Sequence, residues 1–315
     1  MMRILVTGVL GFIGSQFARL LVQETEHTAV GFARDSDQRN KRRIQDIMEH
    51  ERFQMIYGDL AGDISGLTEQ VDVVVNFAAR TFVDHSIRDP QPFIRNNIVG
   101  TYNLLEDARR YMPKMYFQVS TDEVYGSILK GAHKEDAQMS PGNPYSASKA
   151  AADMLCLSYY NTYGLPLMIS RTENNFGPMQ HPQKMMPVFT RKAVNGEPLP
   201  LYGDGLHQRM WLHVEDHCRA ILFLINHGKS GEIYHVAGEE ETTNLDMAKF
   251  ILDTLGKSHD LIEFIDDSKI RPGHDRRYAL DSSKLRSLGW KPKYDMRAAV
   301  AQTVEWYRDN EWWFK

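Results

Sequence analysis

Near the start of the chain, Arg3-Ile4-Leu5-Val6-Thr7 is followed by Gly8-Val9-Leu10-Gly11-Phe12-Ile13-Gly14. The first run is apolar, as expected of a short buried strand, and residues 15–22 have apolar positions at helical spacing. Glycine permits a tight turn and close approach of the backbone to a pyrophosphate, which the N-terminus of the next helix faces. The stretch predicts a dinucleotide-binding unit in which Gly8, Gly11 and Gly14 contact the cofactor. Glycines that only make a turn are the alternative.

Further apolar runs alternate with segments of helical periodicity. Strands are predicted at 29–33, 55–57, 71–77, 115–119 and 167–170, and long helices at 92–111 and 144–163. This alternation is typical of a parallel sheet covered by helices on both faces. The fold class is therefore α/β, a Rossmann-type doubly wound parallel sheet with a smaller C-terminal substrate-binding lobe.

The regular alternation ends near residue 172, and turn formers and prolines become frequent after it. We expect residues 1–172, with about 211–238, to form the dinucleotide-binding domain. Residues 211–226 are predicted as a helix and 233–237 as an edge strand. The substrate lobe is then formed by residues 173–210 and 239–315, and a helical tail runs from about residue 296 to the end.

Bulk composition excludes several classes of function. The chain has 315 residues, 25% of them charged, and a net charge of -4, which predicts neither nucleic-acid nor membrane binding. The two cysteines, Cys156 and Cys218, have no metal-ligand spacing, so no metal site is expected. With no signal peptide and no membrane-spanning run apparent in the sequence, a cytoplasmic location is expected.

Three polar residues, Thr121, Asp122 and Glu123, follow the apolar run at 115–119. In open α/β sheets, ligands bind beyond the carboxyl ends of the strands. Neighbouring carboxyl groups shielded from water have raised pKa values, so one can act as an acid and the other as a base. Turn and helix-capping roles on a solvated loop are the alternative for Asp122 and Glu123.

Asn143 and Pro144 begin the second long helix as cap and first helical residue. Tyr145 and Lys149 are four residues apart and lie on one face of it. Ionising a free tyrosine at pH 7 costs about 4 kcal/mol, and a nearby ammonium group or an oxidised nicotinamide lowers that cost. The pair suits the oxidation of a substrate hydroxyl, although many surface helices carry the same spacing.

The ends of the other strands supply further candidates for cofactor binding. An acidic residue on the adenosine ribose is expected about 20 residues after the glycines, and the chain has Arg34 followed by Asp35 there. Arg34 suits a 2′-phosphate and Asp35 a ribose hydroxyl, so the choice between NADP and NAD stays open. The remaining candidates follow the third and fourth strands: Asp59, Leu60, Ala78 and Ala79.

Four residues of the second half are candidates for binding a nucleotide-diphosphate sugar. Asn174 and Asn175 can hydrogen bond phosphates or hydroxyls, and Arg209 and Arg271 can hold a diphosphate through charge-assisted bonds. Each alone is more often a surface residue, so this prediction requires that the fold bring them together.

In their order along the chain, five motifs resemble those of the extended short-chain dehydrogenase/reductase superfamily. More narrowly, they are similar to the nucleotide-diphosphate-glucose 4,6-dehydratases, typified by dTDP-glucose 4,6-dehydratase. The motifs are Thr7-Gly8-x-x-Gly11-Phe12-Ile13-Gly14, Ser120-Thr121-Asp122-Glu123-Val124-Tyr125-Gly126, Tyr145-Ser146-Ala147-Ser148-Lys149, Asn174-Asn175-Phe176-Gly177-Pro178 and Arg271-Pro272-Gly273-His274-Asp275.

The resemblance implies a role for each site residue. Tyr145 deprotonates the C4 hydroxyl of the hexose, Thr121 helps to position it, and Lys149 holds the nicotinamide ribose. Glu123 removes the C5 proton, and Asp122 protonates the C6 hydroxyl as water leaves, giving a 4-keto-6-deoxy sugar. The resemblance also places Phe12 and Ile13 at the cofactor and His274 at the substrate.

The same resemblance leaves specific alternatives. NAD is the expected cofactor, with NADP an alternative because of Arg34. The expected substrate is dTDP-glucose, with UDP-glucose or another hexose as alternatives, because Arg80, Thr81 and Phe82 replace residues usual in the family. An epimerase of nucleotide sugars and a non-catalytic cofactor-sensing protein are the other functions considered.

A homodimer is expected from the two long helices. They carry more apolar and aromatic residues than one buried stripe needs, and a second apolar face must be buried somewhere. The residues concerned are Tyr102, Leu104, Met154, Leu157, Tyr159 and Tyr160. In relatives these helices pair with their copies across a two-fold axis; packing under the substrate lobe is the alternative.

Overall fold

The computed structural model describes residues 1–35, 38–266 and 275–315. Its strands are β1 (Arg3–Thr7), β2 (Thr28–Ala33), β3 (Phe53–Tyr57), β4 (Val73–Asn76), β5 (Met115–Thr121), β6 (Leu167–Thr172), β7 (Asn174–Phe176), β8 (Leu199–Tyr202), β9 (Gln208–His213), β10 (Ile233–Val236), β11 (Glu241–Thr243) and β12 (Ile262–Ile265). Seven of them form one sheet in the order β10-β6-β5-β4-β1-β2-β3. All neighbours in that sheet are parallel, which confirms the predicted Rossmann-type α/β class.

The α-helices of the described residues are α1 (Phe12–Glu24), α2 (Gln38–Arg42), α3 (Val83–Arg88), α4 (Gln91–Phe93), α5 (Gly100–Tyr111), α6 (Pro144–Tyr163), α7 (Met185–Asn195), α8 (Val214–His227), α9 (Asn244–Thr254), α10 (Ser283–Ser287) and α11 (Met296–Asp309). Some of them cover the two faces of the large sheet, and others, α7, α9 and α11, pack around β8 and β9. A π-helix (Ile94–Val99) joins α4 to α5, so the predicted helix at 92–111 is continuous but changes its hydrogen-bond pattern.

Successive residues of β1 explain why both faces are apolar. Ile4 and Val6 pack in one core with Phe17 of α1, whereas Leu5 packs in another with Leu104 of α5. Side chains alternate between the two faces of a strand, and a parallel sheet covered on both sides needs apolar residues at every position. The strand order reverses at β1, which lies between β2 and β4. Ligands of doubly wound sheets bind at such a point.

A further core lies apart from the two that flank the large sheet. It contains Phe176 of β7, Leu201 of β8, Trp211 of β9 and Val304 of α11. There β11, β9 and β7 form a three-stranded sheet, and β12 pairs with β8. No helix of the described residues is long and apolar enough to cross a membrane.

The prediction that a helix begins at residue 211 is wrong, because the helix begins at Val214. Residues 208–213 form β9, and α8 begins only at Val214, because β9 pairs with β7 on one side and with β11 on the other. In addition, Leu285 of α10 joins the core of the large sheet, although it lies in the segment assigned to the lobe. The division of the chain into two domains stays a prediction.

Candidate active site

A cavity of about 890 Å³ opens at the carboxyl ends of the strands of the large sheet. It extends from the glycine turn after β1, past the ends of β2 to β6, to residues of α7, β8 and β9. Most of the predicted site residues lie on its wall: Gly8, Gly11, Phe12, Ile13, Gly14, Arg34, Asp59, Leu60, Ala78, Ala79, Thr121, Asp122, Glu123, Tyr145, Lys149, Asn174, Asn175 and Arg209.

The glycine turn lies against the end of β4. Gly8 has φ +66°, and a Cβ atom there would lie 2.9 Å from the backbone of Ala78. A Cβ atom on Gly14 would lie 2.6 Å from the carbonyl oxygen of Gly8. Both contacts are too short for any side chain, so these positions require glycine. The turn therefore leaves bare backbone at the helix N-terminus, as pyrophosphate binding needs.

Arg34 and Asp35, the two candidates at the end of β2, differ in where they lie. Arg34 is on the cavity wall, whereas Asp35 is absent from the described wall residues. The carboxylate of Asp35 pairs instead with Lys41 over 2.7 Å and is 70% exposed. At the end of β3, Asp59 faces the cavity and pairs with Arg95 over 3.3 Å.

Thr121 ends β5 and caps a short 3-10 helix (Asp122–Tyr125). The Thr121 hydroxyl accepts the backbone N–H of Glu123 and donates to Asp122 Oδ1 over 3.0 Å. These contacts direct Asp122 and Glu123 into the cavity from adjacent positions. Thr121 and Asp122 are buried and Glu123 is half-buried, so the solvated-loop alternative does not hold.

Both carboxyl groups have raised pKa values. Burial, assisted by the charge of Glu123, raises the pKa of Asp122 to about 7. Burial also raises the pKa of Glu123, but Lys184 and Arg209 act in the opposite direction. Neighbouring carboxyl groups in different surroundings are the arrangement from which an acid and a base can be drawn.

The cap of α6 is as expected from the sequence. Asn143 and Ser146 form a capping box, with Pro144 in the first turn. Tyr145 and Lys149 are both buried, and Lys149 Nζ donates to the carbonyl oxygen of Val119 over 2.8 Å. The pair thus lies directly beside the end of β5.

Opposing effects act on the pKa of Tyr145. Burial and the charge of Glu123 raise the pKa of its phenol, whereas the interaction with Thr121 lowers it. The pKa of Tyr145 is raised on balance, so the protein surroundings favour the protonated phenol. Burial lowers the pKa of Lys149, and Asp153, one turn further along α6, opposes that effect.

Arg209 lies on β9 and is buried at the far side of the cavity. Its guanidinium donates to the carbonyl oxygen of Asp275 over 2.8 Å and stacks on Tyr278 at 4.5 Å. Asn174 and Asn175 also line the cavity, and the Asn175 amide donates to the carbonyl oxygen of Glu173. The two other predicted substrate residues, Arg271 and His274, lie outside the described residues.

Glu173 and Lys184 are wall residues that the sequence interpretation did not include. Glu173 is buried, and burial with the charge of Asp122 raises the pKa of its carboxyl group well above the usual value. It follows β6 directly, as Asp122 follows β5, so the rule about strand ends was sufficient to find it. Lys184 stacks on Phe82 at 4.6 Å, and no local motif marks it.

No group of three or more His, Cys, Asp or Glu side chains within the described ranges is arranged to hold a metal ion. Beyond the ends of β5 and β6, the cavity wall instead carries Tyr145, Lys149, Arg209 and the carboxyl groups of Asp122, Glu123 and Glu173, and the glycine turn lies on the same wall. This set of groups on a doubly wound parallel sheet defines an extended short-chain dehydrogenase/reductase.

Comparison with known proteins narrows this class. The family model described as GDP-mannose 4,6 dehydratase matches residues 5–303, so the chain belongs to that family. The dTDP-glucose 4,6-dehydratase of Streptomyces niveus is 41% identical over 99% of this chain and 95% of its own length. The low-salt glycan biosynthesis protein Agl12 of Haloferax volcanii is 41% identical over 98% of this chain and 100% of its own.

Among solved structures, enzymes that act on nucleotide sugars share the fold of this chain. The dTDP-glucose 4,6-dehydratase DesIV of Streptomyces venezuelae, crystallised with NAD bound, superposes with a TM-score of 0.93 at 40% identity, covering 99% of this chain and 98% of that one. A UDP-glucuronic acid 4-epimerase of Bacillus cereus, in complex with UDP-glucuronic acid and NAD, has a TM-score of 0.92 at 28% identity, covering 98% and 99%. The fold is thus shared by dehydratases and epimerases, so the residues of the site must separate them.

Proposed function

We propose that the chain is an NAD-dependent 4,6-dehydratase of a nucleotide-diphosphate hexose, with dTDP-glucose as its substrate. The observation that carries the proposal is the adjacent pair Asp122 and Glu123, with raised pKa values, in the same cavity as Tyr145. An epimerase that only oxidises and reduces C4 has no use for two such carboxyl groups. The names of relatives at about 40% identity support the choice of substrate and cofactor.

The wall of the cavity fits a nicotinamide dinucleotide. The glycine turn, which no Cβ atom can enter, suits the pyrophosphate, and Tyr145 and Lys149 suit the nicotinamide ribose. Bound NAD supplies a reversible hydride acceptor and a positive charge beside Tyr145, which favours the phenolate.

The carboxyl groups then divide the elimination between them. Tyr145 would take the proton of the C4 hydroxyl while the C4 hydrogen passes as hydride to the acceptor that bound NAD supplies, which gives a ketone and acidifies the proton on C5. Glu123 would remove that proton, and Asp122 would donate its own to the C6 oxygen, which departs as water. The turnover would close when the hydride returns to C6 and Glu123 returns its proton to C5, which gives the 4-keto-6-deoxy sugar. Glu123 is suited to be the base because Lys184 and Arg209 favour its ionised form. Asp122, with a pKa near 7, retains a proton to give.

The proton balance of this reaction assigns a further task to Thr121. In each turnover Tyr145 gains a proton and Asp122 loses one, so both groups must be reset before the next turnover. The Thr121 hydroxyl donates to Asp122 Oδ1 over 3.0 Å, and its interaction with the Tyr145 phenol lowers the pKa of that phenol. A hydroxyl group that interacts with both residues can pass a proton from the first to the second by accepting one and donating another.

The test is an incubation of the purified protein with dTDP-glucose, UDP-glucose and GDP-mannose in parallel. The proposal predicts a product lighter by one water, formed fastest from dTDP-glucose. An isomer of equal mass would show an epimerase, and no change with any substrate would show a non-catalytic protein. Faster conversion of another sugar would overturn the choice of substrate alone.

A homodimer is part of the proposal. Along the π-helix, α5 and α6, several apolar side chains are exposed: Ile94, Val99, Tyr102, Met154 and Tyr163. Because α5 and α6 pack against each other, these side chains can form one surface for a second copy of the chain. The cytoplasmic location expected from the sequence stays a prediction.

A further inference from the structure

The side chain of Lys184 joins two segments of the cavity wall. Lys184 directly precedes α7, and its side chain reaches the segment between β4 and α3. The ammonium group lies 4.6 Å from the ring centre of Phe82 and donates to the carbonyl oxygen of Thr81 over 3.4 Å. All three residues belong to the wall of the cavity. The ring and the carbonyl oxygen thus help to determine where this positive charge lies.

The ring of Phe82 is itself held by its neighbours. Its centre lies 5.0 Å from that of the His85 ring and 4.9 Å from that of the His181 ring. Phe82 is the residue before α3, and the Ser86 hydroxyl of that helix accepts the backbone N–H of Tyr145 over 3.1 Å. The ring is therefore anchored beside a helix that contacts the tyrosine of the site.

The charge of Lys184 acts on Glu123. Burial raises the pKa of Glu123, and Lys184 is the strongest of the groups that oppose this effect, ahead of Arg209. Arg209 is held independently of Phe82, because it donates to a backbone carbonyl oxygen and stacks on a tyrosine ring. The other groups of the described residues that interact with Glu123 include Asp122, Asn143, Tyr145, Asp275 and Tyr278. Lys184 is thus the cation near Glu123 whose position depends on Phe82.

An aromatic face is well suited to hold a charge that acts on a third group. The ring attracts an ammonium group through its quadrupole but carries no net charge, so the positive charge is not cancelled. A carboxylate partner would cancel much of it. Lysine has a flexible four-carbon stem, so without such a contact the ammonium group would spend more time in water.

We propose that Phe82 is a positioning residue, which holds the ammonium group of Lys184 within electrostatic reach of Glu123 and so keeps this carboxylate ready to accept a proton. The inference rests on the proposed function in one respect, the role of Glu123 as the base. The electrostatic effect, from ring to ammonium group to carboxylate, can be measured in the protein without substrate.

The pKa of Glu123 can be measured by carbon NMR of protein isotopically labelled at the glutamate Cδ atom, with Glu123→Gln to assign the signal. Phe82→Leu removes the aromatic face and should raise this pKa by about half a pH unit, because Lys184, which lowers it, is held less well. At a pH below the pKa of both proteins, elimination should then be about threefold slower in the variant, since less of the base is ionised.

Three controls separate this effect from a change in packing. Phe82→Tyr keeps the aromatic face and should titrate like the wild type. Phe264→Leu, at a 56% exposed position of β12 that is not among the described residues of the wall, should leave the pKa of Glu123 unchanged. In protein that already carries Lys184→Met, Phe82→Leu should cause no further rise, because the ring acts only through the ammonium group.

An unchanged pKa of Glu123 in Phe82→Leu would overturn the proposal. An equal rise in the presence of Lys184→Met would do the same, since the ring would then act through packing alone. Wild-type protein that dehydrates no sugar nucleotide would overturn the proposed function instead, and the titration without substrate would still decide whether Phe82 holds Lys184 for Glu123.

Discussion

Asp122 and Glu123 are neighbours in sequence, yet the structure gives them different electrostatic surroundings. Asp122 is fully enclosed and has the carboxyl groups of Glu123 and Glu173 nearby. For Glu123, two cations, Lys184 and Arg209, lower the pKa and so oppose the effect of burial. The same residue class thus supplies a group that keeps its proton and a group that gives it up readily.

Replacing Glu123 by Gln should separate the two halves of the reaction. Oxidation at C4 needs Tyr145 and stays intact, whereas elimination loses its base and slows by about 10²- to 10⁴-fold. Reduced nicotinamide should therefore accumulate when substrate is added, which its absorbance reports. Tyr145→Phe is the matched control, because it lacks the first base and should give no such absorbance. Normal turnover by Glu123→Gln would remove this residue from the mechanism.

The pKa of Asp122 predicts a pH dependence. Burial raises this pKa to about 7, so the protonated acid is abundant below that pH and scarce above it. If elimination limits the rate, turnover should fall by about tenfold per pH unit above the pKa. A stopped-flow pH profile should show the fall in product formation while the first reduction of the cofactor keeps its rate. A profile that is flat from neutral to alkaline pH would exclude Asp122 as the acid.

At the level of elements, the junction of β5 with the 3-10 helix that follows it positions the residues of the site. Thr121 ends the strand, caps the helix, donates to Asp122 and lowers the pKa of Tyr145. One hydroxyl group therefore connects the residues of the first chemical step with those of the second.

Thr121→Val should slow repeated turnover more than the first turnover. The variant keeps the β-branched shape but cannot pass a proton from Tyr145 to Asp122, so the second cycle must wait for a slower route. Comparing a single-turnover rate with the steady-state rate measures this difference. Thr121→Ser, which retains a hydroxyl group, should behave like the wild type. Equal slowing of both rates in Thr121→Val would indicate a positioning role only.

The large sheet could be predicted from sequence because its strands are buried on both faces. Residues 71–77 and 115–119 are mostly apolar, and each contains or begins a strand of the structure. The lobe could not be predicted in this way. Its strands β7 and β11 have three residues each, too few to show a period, and β9 was mistaken for the start of a helix.

The residues of the site also divide into those that local sequence motifs predict and those that only tertiary packing brings to the cavity. The glycine turn, Thr121 to Glu123 and Tyr145 with Lys149 were found from sequence, because each motif is local and stands at a strand end or helix start. Lys184 comes to the cavity through tertiary packing of α7, which no local pattern reports. Asp35 is a candidate by spacing, but its ion pair with Lys41 depends on a tertiary contact with α2.

At the scale of the whole molecule, α5 and α6 pack against each other and against the large sheet, and α6 carries Tyr145 and Lys149. Two residues expected on a second apolar face, Leu104 and Tyr159, are buried in the sheet core instead. Tyr102 and Met154 do remain exposed, at 46% and 53%. The exposed apolar surface is therefore smaller than the sequence suggests, although each helix keeps exposed apolar side chains.

A charge on this surface should weaken the dimer. Light scattering of the wild type at micromolar concentration should give twice the chain mass of 36.3 kDa. Met154→Glu would place like charges near each other across a two-fold axis and should shift the mass toward the monomer. Leu129→Glu, at a 75% exposed position in a loop, is the control and should remain dimeric. Wild-type protein that is fully active as a monomer would contradict the dimer.

We expect oxidation at C4 and loss of water from C5 and C6 to occur at one site in one turnover. Hexose nucleotide labelled with deuterium at C4 tests it most directly, with the product analysed by mass spectrometry and NMR. The account predicts a product that has lost one water and carries the deuterium at C6, because the hydrogen removed from C4 returns within the same site. Deuterium found at C4 of an isomer of unchanged mass, or deuterium lost to solvent, would contradict it.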